Sequence, residues 1–288
     1  MAYSKYATSG GSEIYGIIGD PIDHSMSPAI QNAAFQSTRI NAVYVPFCVK
    51  KSDLKSAVEG MRALCVKGFN VTAPHKVEVC RYLDKLDRSA REIGSVNTVV
   101  TRGKSFCGYN TDGIGALRTL EEAGTQLDDR SILLFGAGGA SRALAYAFAS
   151  RARTIRIVNR TLLKAKQLQR RVQKRFNLDV TVAGLASASI KSFVEEADII
   201  VNASSMGQHG HCDPPIQQRW LRQRQFVLDI VYSPIETKLL KIAQAAGATA
   251  IDGLRMLVNQ GACSFEIWTG KSAPVAVMHD AVRQKVLV

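Results

Sequence analysis

The sequence predicts an α/β protein: two α/β domains flanking a cleft, the second a Rossmann-type doubly wound parallel sheet. Three observations predict it. Apolar runs of strand length alternate with helical patterns along the whole chain. A glycine turn, Gly136-Ala137-Gly138-Gly139, stands between an apolar run and a helical pattern, the context of a nucleotide-binding turn. The 288 residues also exceed the roughly 100–200 of one typical domain.

Taken in order, Ile14–Gly19 reads as a strand and Pro28–Gln36 as a helix. Ala42–Val49 is a second strand, with a helix after Asp53, and Gly68–Thr72 a third. Val96–Thr101 and Phe106–Tyr109 read as hairpin partners, and a helix from about Gly113 to Glu122 stops at Gly124. Ile132–Phe135 is wholly apolar, as a strand covered on both faces requires. A helix then runs to about Ser150, and Arg156–Asn159 closes a βαβ unit. Val180–Ala183, Ile199–Asn202, Val227–Val231 and Thr249–Ile251 are further strands. The boundary carries no Pro/Gly-rich linker and falls in the helix after Asp112. The expected division is a nucleotide domain over 113–254 and a catalytic domain over 1–112 plus 255–288.

Composition narrows the class. Hydrophobic residues are 46% and charged residues 21%, which excludes a disordered chain. No run of about 18 apolar residues suggests a membrane span. Met1–Ser12 is polar without an apolar core and does not read as a signal peptide, so a cytoplasmic location is expected. Cys48, Cys65, Cys80, Cys107, Cys212 and Cys263 form no C-x-x-C pair; they read as buried or incidental thiols, and no metal is expected. The formal net charge is +13. Its basic residues concentrate in Arg151–Arg175 and Arg219–Arg224, the first read as an outer helix face. Without a helix-turn-helix, RNP or zinc-finger pattern, nucleic acid is not an expected partner; the charge suits small anions.

The glycine turn carries the cofactor signal. Gly136 permits a tight turn, Gly138 admits the pyrophosphate, and the helix opened by Gly139 and Ala140 offers free N–H groups to that anion. Ser141 departs from the usual third Gly or Ala. An NAD site carries an acid about 20 residues on; here stand Asn159, Arg160 and Thr161, with Lys164 a turn later. These cations attract a 2′-phosphate that a carboxylate would repel, so the expected cofactor is NADP(H). Thr161 is also placed to cap the next helix.

Polar clusters at strand ends carry the substrate signal: Ser25 and Ser27, Asn70 and Thr72 with Lys76, Asn97, and Asp112. Loops at strand C-terminal ends are where open α/β sheets bind ligands, and these groups suit a small polyhydroxylated acid. Taken singly, Ser27 and Asp112 also read as helix N-caps, and Thr72 as an edge-strand residue.

Together the motifs resemble the shikimate dehydrogenase family. Gly19-Asp20-Pro21-Ile22-Asp23-His24-Ser25-Met26-Ser27-Pro28 is similar to its opening motif, and Asn70–Lys76 to its N-V-T-x-P-x-K motif. Gly94–Thr98, Asn110–Gly113, Asn159–Thr161, Asn202–Ser205, Asp252–Leu257, Gln260–Ala262 and Trp268–Gly270 follow in family order. The resemblance spans roughly Ile14 to Gly270 and implies reduction of 3-dehydroshikimate to shikimate with NADPH. It implies a catalytic pair, Lys76 and Asp112. Ser25 and Ser27 would hold the substrate carboxylate, and Thr72, Asn97, Asp112 and Gln260 its hydroxyls, with Asn70 and Tyr232 nearby. Gly253 and Met256 would lie against the nicotinamide with Ser204, and Met206 would occupy a variable place beside it. Residues after about Arg255 would return to the first domain. Gln31 departs from the family's common His. Lys76 would move the proton itself or polarise the carbonyl while water takes part; both remain open.

Three rivals stay in view. Quinate users of this family often carry Thr in place of the second serine, and NAD users an acid near Arg160; Ser27 and Arg160 point away from both. A catalytically silent NADP-binding regulator is opposed by the intact Lys76 and Asp112. A nucleic-acid binder would need a salt-dependent gel shift. A homodimer is compatible with the reading.

Overall fold

The computed structural model describes residues 8–208 and 211–286; of the polar N-terminal stretch, residues 1–7 lie outside this range. The chain divides into two compact units, Met1–Thr111 with Val258–Val288, and Asp112–Leu257.

The first unit holds β1 (Glu13–Gly19), α1 (Ser27–Ser37), β2 (Ala42–Cys48), α2 (Leu54–Ala63), β3 (Gly68–Val71), β4 (Lys85–Leu86), α3 (Arg88–Ile93), β5 (Thr98–Arg102) and β6 (Ser105–Tyr109). Its sheet runs β2-β1-β3-β5-β6-β4. β1 pairs in parallel with β2 and β3, whereas β5 is antiparallel to β3 and β6. This sheet is therefore mixed, and the predicted hairpin is β5–β6. β4 and α3 were not legible in the sequence. Two residues carry no period, and α3 depends on local chemistry: Asp87 accepts from Ser89 N–H at 2.9 Å at its start, and Gly94 ends it at φ 67°.

The second unit holds α4 (Asp112–Glu122), β7 (Ser131–Phe135), α5 (Gly139–Ala149), β8 (Thr154–Val158), α6 (Leu162–Arg175), β9 (Asp179–Ala183), α7 (Ile190–Glu196), β10 (Ile199–Asn202), β11 (Phe226–Asp229), α8 (Lys238–Ala245) and β12 (Thr249–Ile251). All neighbours in the order β12-β11-β10-β7-β8-β9 are parallel. This is the doubly wound arrangement, its strand order reversing between β7 and β10. The apolar run at Ile132–Phe135 is at most 1% exposed, which is why it shows no alternation. One expectation needs correction. Arg151–Arg156 is not helix: Arg156 lies within β8, between the buried Ile155 and Ile157, and only Leu162–Arg175 carries a helical basic face.

The chain returns to the first unit inside α9 (Gly253–Thr269) and ends with α10 (Val275–Val286). Their side chains complete that unit's core. Phe265 stacks 5.7 Å from Phe35, and Trp268 lies 5.2 Å from Tyr15 and 6.0 Å from Tyr44. Trp268 Nε1 donates to the Val99 carbonyl at 2.9 Å, and a Cβ at Gly68 would stand 2.4 Å from that nitrogen. Among the described residues no helix is long and apolar enough to cross a membrane.

Candidate active site

In the first unit the predicted polar residues gather at strand ends. Ser25 and Ser27 are both 6% exposed, and the Ser25 hydroxyl accepts from Ser27 N–H at 3.3 Å. Ser27 opens α1 but does not cap it: the N-cap residue is Met26, whose side chain makes no capping bond. Two hydroxyls thus sit beside a helix N-terminus with its partial positive charge.

After β3 the chain is fixed from several sides. His75 N–H bonds the Thr72 carbonyl at 2.9 Å, and Val96 N–H bonds the Lys76 carbonyl at 2.8 Å. His75 is 1% exposed and its Nε2–H donates to the Val49 carbonyl at 2.6 Å. The Lys76 backbone is held while its side chain stays partly buried. Thr72 packs its methyl where a Cβ on Gly19 would go, 2.4 Å away.

Asn97 joins several stretches. Its Nδ2 donates to Gln260 Oε1 at 3.0 Å and Thr111 Oγ1 at 2.8 Å, and its Oδ1 accepts from Thr111 N–H at 2.8 Å. Asn70 Nδ2 donates to the Asn97 carbonyl at 2.9 Å, and its Oδ1 accepts from Tyr44 Oη at 2.7 Å. Asn70, Asn97 and Gln260 therefore form one network. It also takes in Thr98 and Thr111, which lie in the motifs Gly94–Thr98 and Asn110–Gly113, and Tyr44 and Ser264, which sequence reasoning missed; Thr98 and Ser264 share a 2.8 Å bond. Ser264 was findable, lying four residues after Gln260 on the same face of α9. Gln31 donates to the Gly261 carbonyl at 2.9 Å, so the family's departure still anchors the turn beside Gln260. Asp112 follows Thr111 directly, opens α4 and is 3% exposed.

In the second unit Gly136 has φ 115°, which favours glycine. A Cβ there would meet Ser141 Oγ at 2.5 Å and the Ala203 carbonyl at 2.7 Å. At Gly138 a Cβ would meet nothing within 4 Å, and no side chain caps α5. Beside Ala137, Gly139 and Ala140, these open amides and this open space fit a pyrophosphate. Arg160, Thr161 and Lys164 are exposed; no salt bridge joins either cation to an acid among the described residues. Asn159 Nδ2 donates to the Thr161 carbonyl at 2.9 Å. Thr161 stands at the N-cap of α6, yet its side chain makes no capping bond. The donor set therefore fits a 2′-phosphate.

Further along, a Cβ on Gly253 would meet the Ile230 and Val231 carbonyls within 2.7 Å, so only glycine fits there. Met256 is 4% exposed. Met206 packs into the core with Phe135 and Leu239. Ser204 and Met206 belong to the turn after β10, where Ser204 Oγ accepts from Met206 N–H at 3.1 Å. Tyr232 is partly buried, and desolvation pushes its phenol pKa up. The described residues include no group of three or more His, Cys, Asp or Glu able to hold a metal.

Comparison with known proteins bears on both units. The family model described as the shikimate dehydrogenase substrate binding domain matches residues 17–99, the shikimate / quinate 5-dehydrogenase model matches 118–256, and the shikimate 5′-dehydrogenase C-terminal domain model matches 253–283. The chain is 46% identical over 270 residues to shikimate dehydrogenase (NADP+) of Pyrococcus furiosus, covering 94% of this chain and 95% of that one. A crystal structure of a shikimate dehydrogenase in complex with NADP+ is 40% identical, with TM-score 0.91 over 97% of this chain and 98% of the other. The Thermus thermophilus enzyme in complex with NADP(H) and shikimate is 30% identical, with TM-score 0.84 over 94% and 99%.

Proposed function

This chain belongs to the shikimate dehydrogenase family, and from that premise we propose that Lys76 and Asp112 carry its chemistry, the reversible NADPH-dependent reduction of 3-dehydroshikimate to shikimate. It is an NADP-dependent oxidoreductase of aromatic amino-acid biosynthesis. The observation that carries the substrate assignment is the Asn70–Asn97–Gln260 network: Asn70 Nδ2 holds the Asn97 main-chain carbonyl at 2.9 Å and Asn97 Nδ2 holds Gln260 Oε1 at 3.0 Å, which fixes these amides before a polyol. Ser25 and Ser27, beside the first turn of α1, take the substrate carboxylate, and Thr72 and Tyr232 complete the lining.

NADPH supplies the hydride. The chain supplies its binding and the proton. The uncapped α5 N-terminus with Gly136–Ala140 holds the pyrophosphate, Arg160 and Lys164 the 2′-phosphate beside Asn159 and Thr161, and Ser204, Met206, Gly253 and Met256 the nicotinamide end. Lys76 delivers the proton to the forming hydroxyl, directly or through one water, and as a cation stabilises the developing alkoxide. Asp112 orients the Lys76 amine and holds a substrate hydroxyl. A second reading, dual activity on quinate, draws on the shikimate / quinate description of the model matched over 118–256. A cytoplasmic homodimer completes the proposal; light scattering giving a single 31.3 kDa chain would remove the dimer. The test of the reaction is direct: purified protein oxidises shikimate with NADP, followed at the NADPH absorbance band, and no turnover would overturn the reading.

A further inference from the structure

We infer that Asp229 is a positioning residue for the cofactor's nicotinamide end, its one carboxylate holding both the turn after β10 and the segment after β11. The inference rests on the cofactor assignment proposed above. Asp229 ends β11 and is 0% exposed. Its Oδ1 accepts from Asn202 Nδ2 at 2.9 Å and from Val231 N–H at 3.1 Å, and its Oδ2 from Thr237 Oγ1 at 2.7 Å.

Each donor leads to a stretch assigned to the site. Asn202 Nδ2 also donates to the Met206 carbonyl at 2.7 Å, and Asn202 Oδ1 accepts from Ser204 N–H at 3.2 Å and Ser204 Oγ at 2.7 Å. Asn202 thus shapes the turn that carries Ser204 and Met206. Val231 precedes Tyr232, and its carbonyl lies with that of Ile230 against Gly253 at the start of α9. Thr237 in turn caps α8 by accepting from Leu240 N–H at 3.3 Å. The segment 230–237 is therefore tied at both ends to one carboxylate.

A buried carboxylate is costly, and a neutral amide there would offer a single acceptor oxygen for three donors. The charge is what satisfies all three. Burial pushes the Asp229 pKa up to about 6, against the hydrogen bonds from Thr237, Val231 and Asn202 that lower it. Asp213 adds a smaller upward push and is itself paired with Lys238 at 3.3 Å. The imidazole of His211 also stands on the turn after β10, its Nδ1 3.4 Å from Ser205 Oγ. Below about pH 6 the carboxyl carries a proton: the Thr237 hydroxyl can turn to accept it, but Asn202 Nδ2 and Val231 N–H are donors only and lose their charged acceptor, so the hold on both segments weakens. The stability contribution runs the other way. Because the folded pKa is raised, it is fully present below the unfolded value and lost as pH rises through about 6. Weaker cofactor binding in acid therefore does not arise from acid unfolding at this residue.

The test is the NADP dissociation constant of the wild type and of Asp229→Asn, measured by calorimetry from pH 7.5 to 5.5, with Tm recorded at each pH. The 2′-phosphate and every ionisable group other than Asp229 are common to both proteins, so the ratio of the two constants isolates Asp229. In the wild type the competent fraction falls to about a quarter at pH 5.5, so its constant rises roughly fourfold more than the variant's. A ratio that stays constant with pH overturns the inference. Thr237→Val, which removes a bond favouring the ionised form, is expected to move the wild-type midpoint to higher pH; an unmoved midpoint also overturns it. A wild type that binds no NADP at any pH would instead refute the cofactor assignment itself.

Discussion

The Ser141 hydroxyl donates to the Ala203 carbonyl at 2.8 Å, joining the phosphate turn to the turn after β10 across the point where the strand order reverses. Ser141 stands where a Gly or Ala is usual and is 0% exposed. Ser141→Ala leaves a buried carbonyl short of a partner and is expected to cost about 1–3 kcal/mol of stability. Urea unfolding reads this; an unchanged midpoint and slope would show the bond to be idle.

Arg160→Ala is expected to raise the Michaelis constant for NADP with little change for NAD. A charge-assisted contact to phosphate contributes about 1.5–3 kcal/mol, roughly tenfold to a hundredfold in affinity. Steady-state kinetics with both cofactors decides, and equal losses would remove Arg160 from the 2′-phosphate site.

Lys76→Ala should lower kcat far more than it raises the shikimate Michaelis constant, by about 10²–10⁴-fold. Asp112→Asn should lower kcat and weaken substrate binding as well. Acting as a unit, the pair should give a double variant little worse than the poorer single one. Additive losses would mean two independent roles.

Ser25 and Ser27, close enough for the Ser27 N–H to reach the Ser25 hydroxyl at 3.3 Å, leave little room for a second substituent at the substrate's C1. The enzyme should prefer shikimate strongly over quinate, and Ser27→Thr should narrow the gap. Comparable kcat/KM on the two substrates in the unaltered protein would refute this.

The legible parts of the fold are those where one physical requirement dominates. A strand covered on both faces must be apolar throughout, and Ile132–Phe135 and Ile199–Val201 announce themselves so. The phosphate turn is legible because Gly136 takes a φ that side chains avoid. Arg156 reads correctly as strand in Arg156–Asn159, and only the helix-face reading of the basic stretch from Arg151 extends too far, because Ile155-Arg156-Ile157 alternates within β8. The site was readable through its motifs, but its supports were not. Tyr44 reads as an ordinary residue of the strand Ala42–Val49, and Asp229 as one within Val227–Val231. Only tertiary contact shows the first bonded to Asn70 and the second holding two separate segments.

The return of α9 into the first unit has a consequence for biosynthesis. Residues 1–111 leave the ribosome without Phe265 and Trp268, so Tyr15, Phe35 and Tyr44 have no aromatic neighbours from α9 to pack on. The intervening segment, continuous from Asp112 to Leu257, has all its own strands before those residues are made. Domains fold as units during synthesis. Here the later-made unit has its full set of strands first, while the earlier half waits for its α9 and α10 contacts until the C-terminal helices emerge.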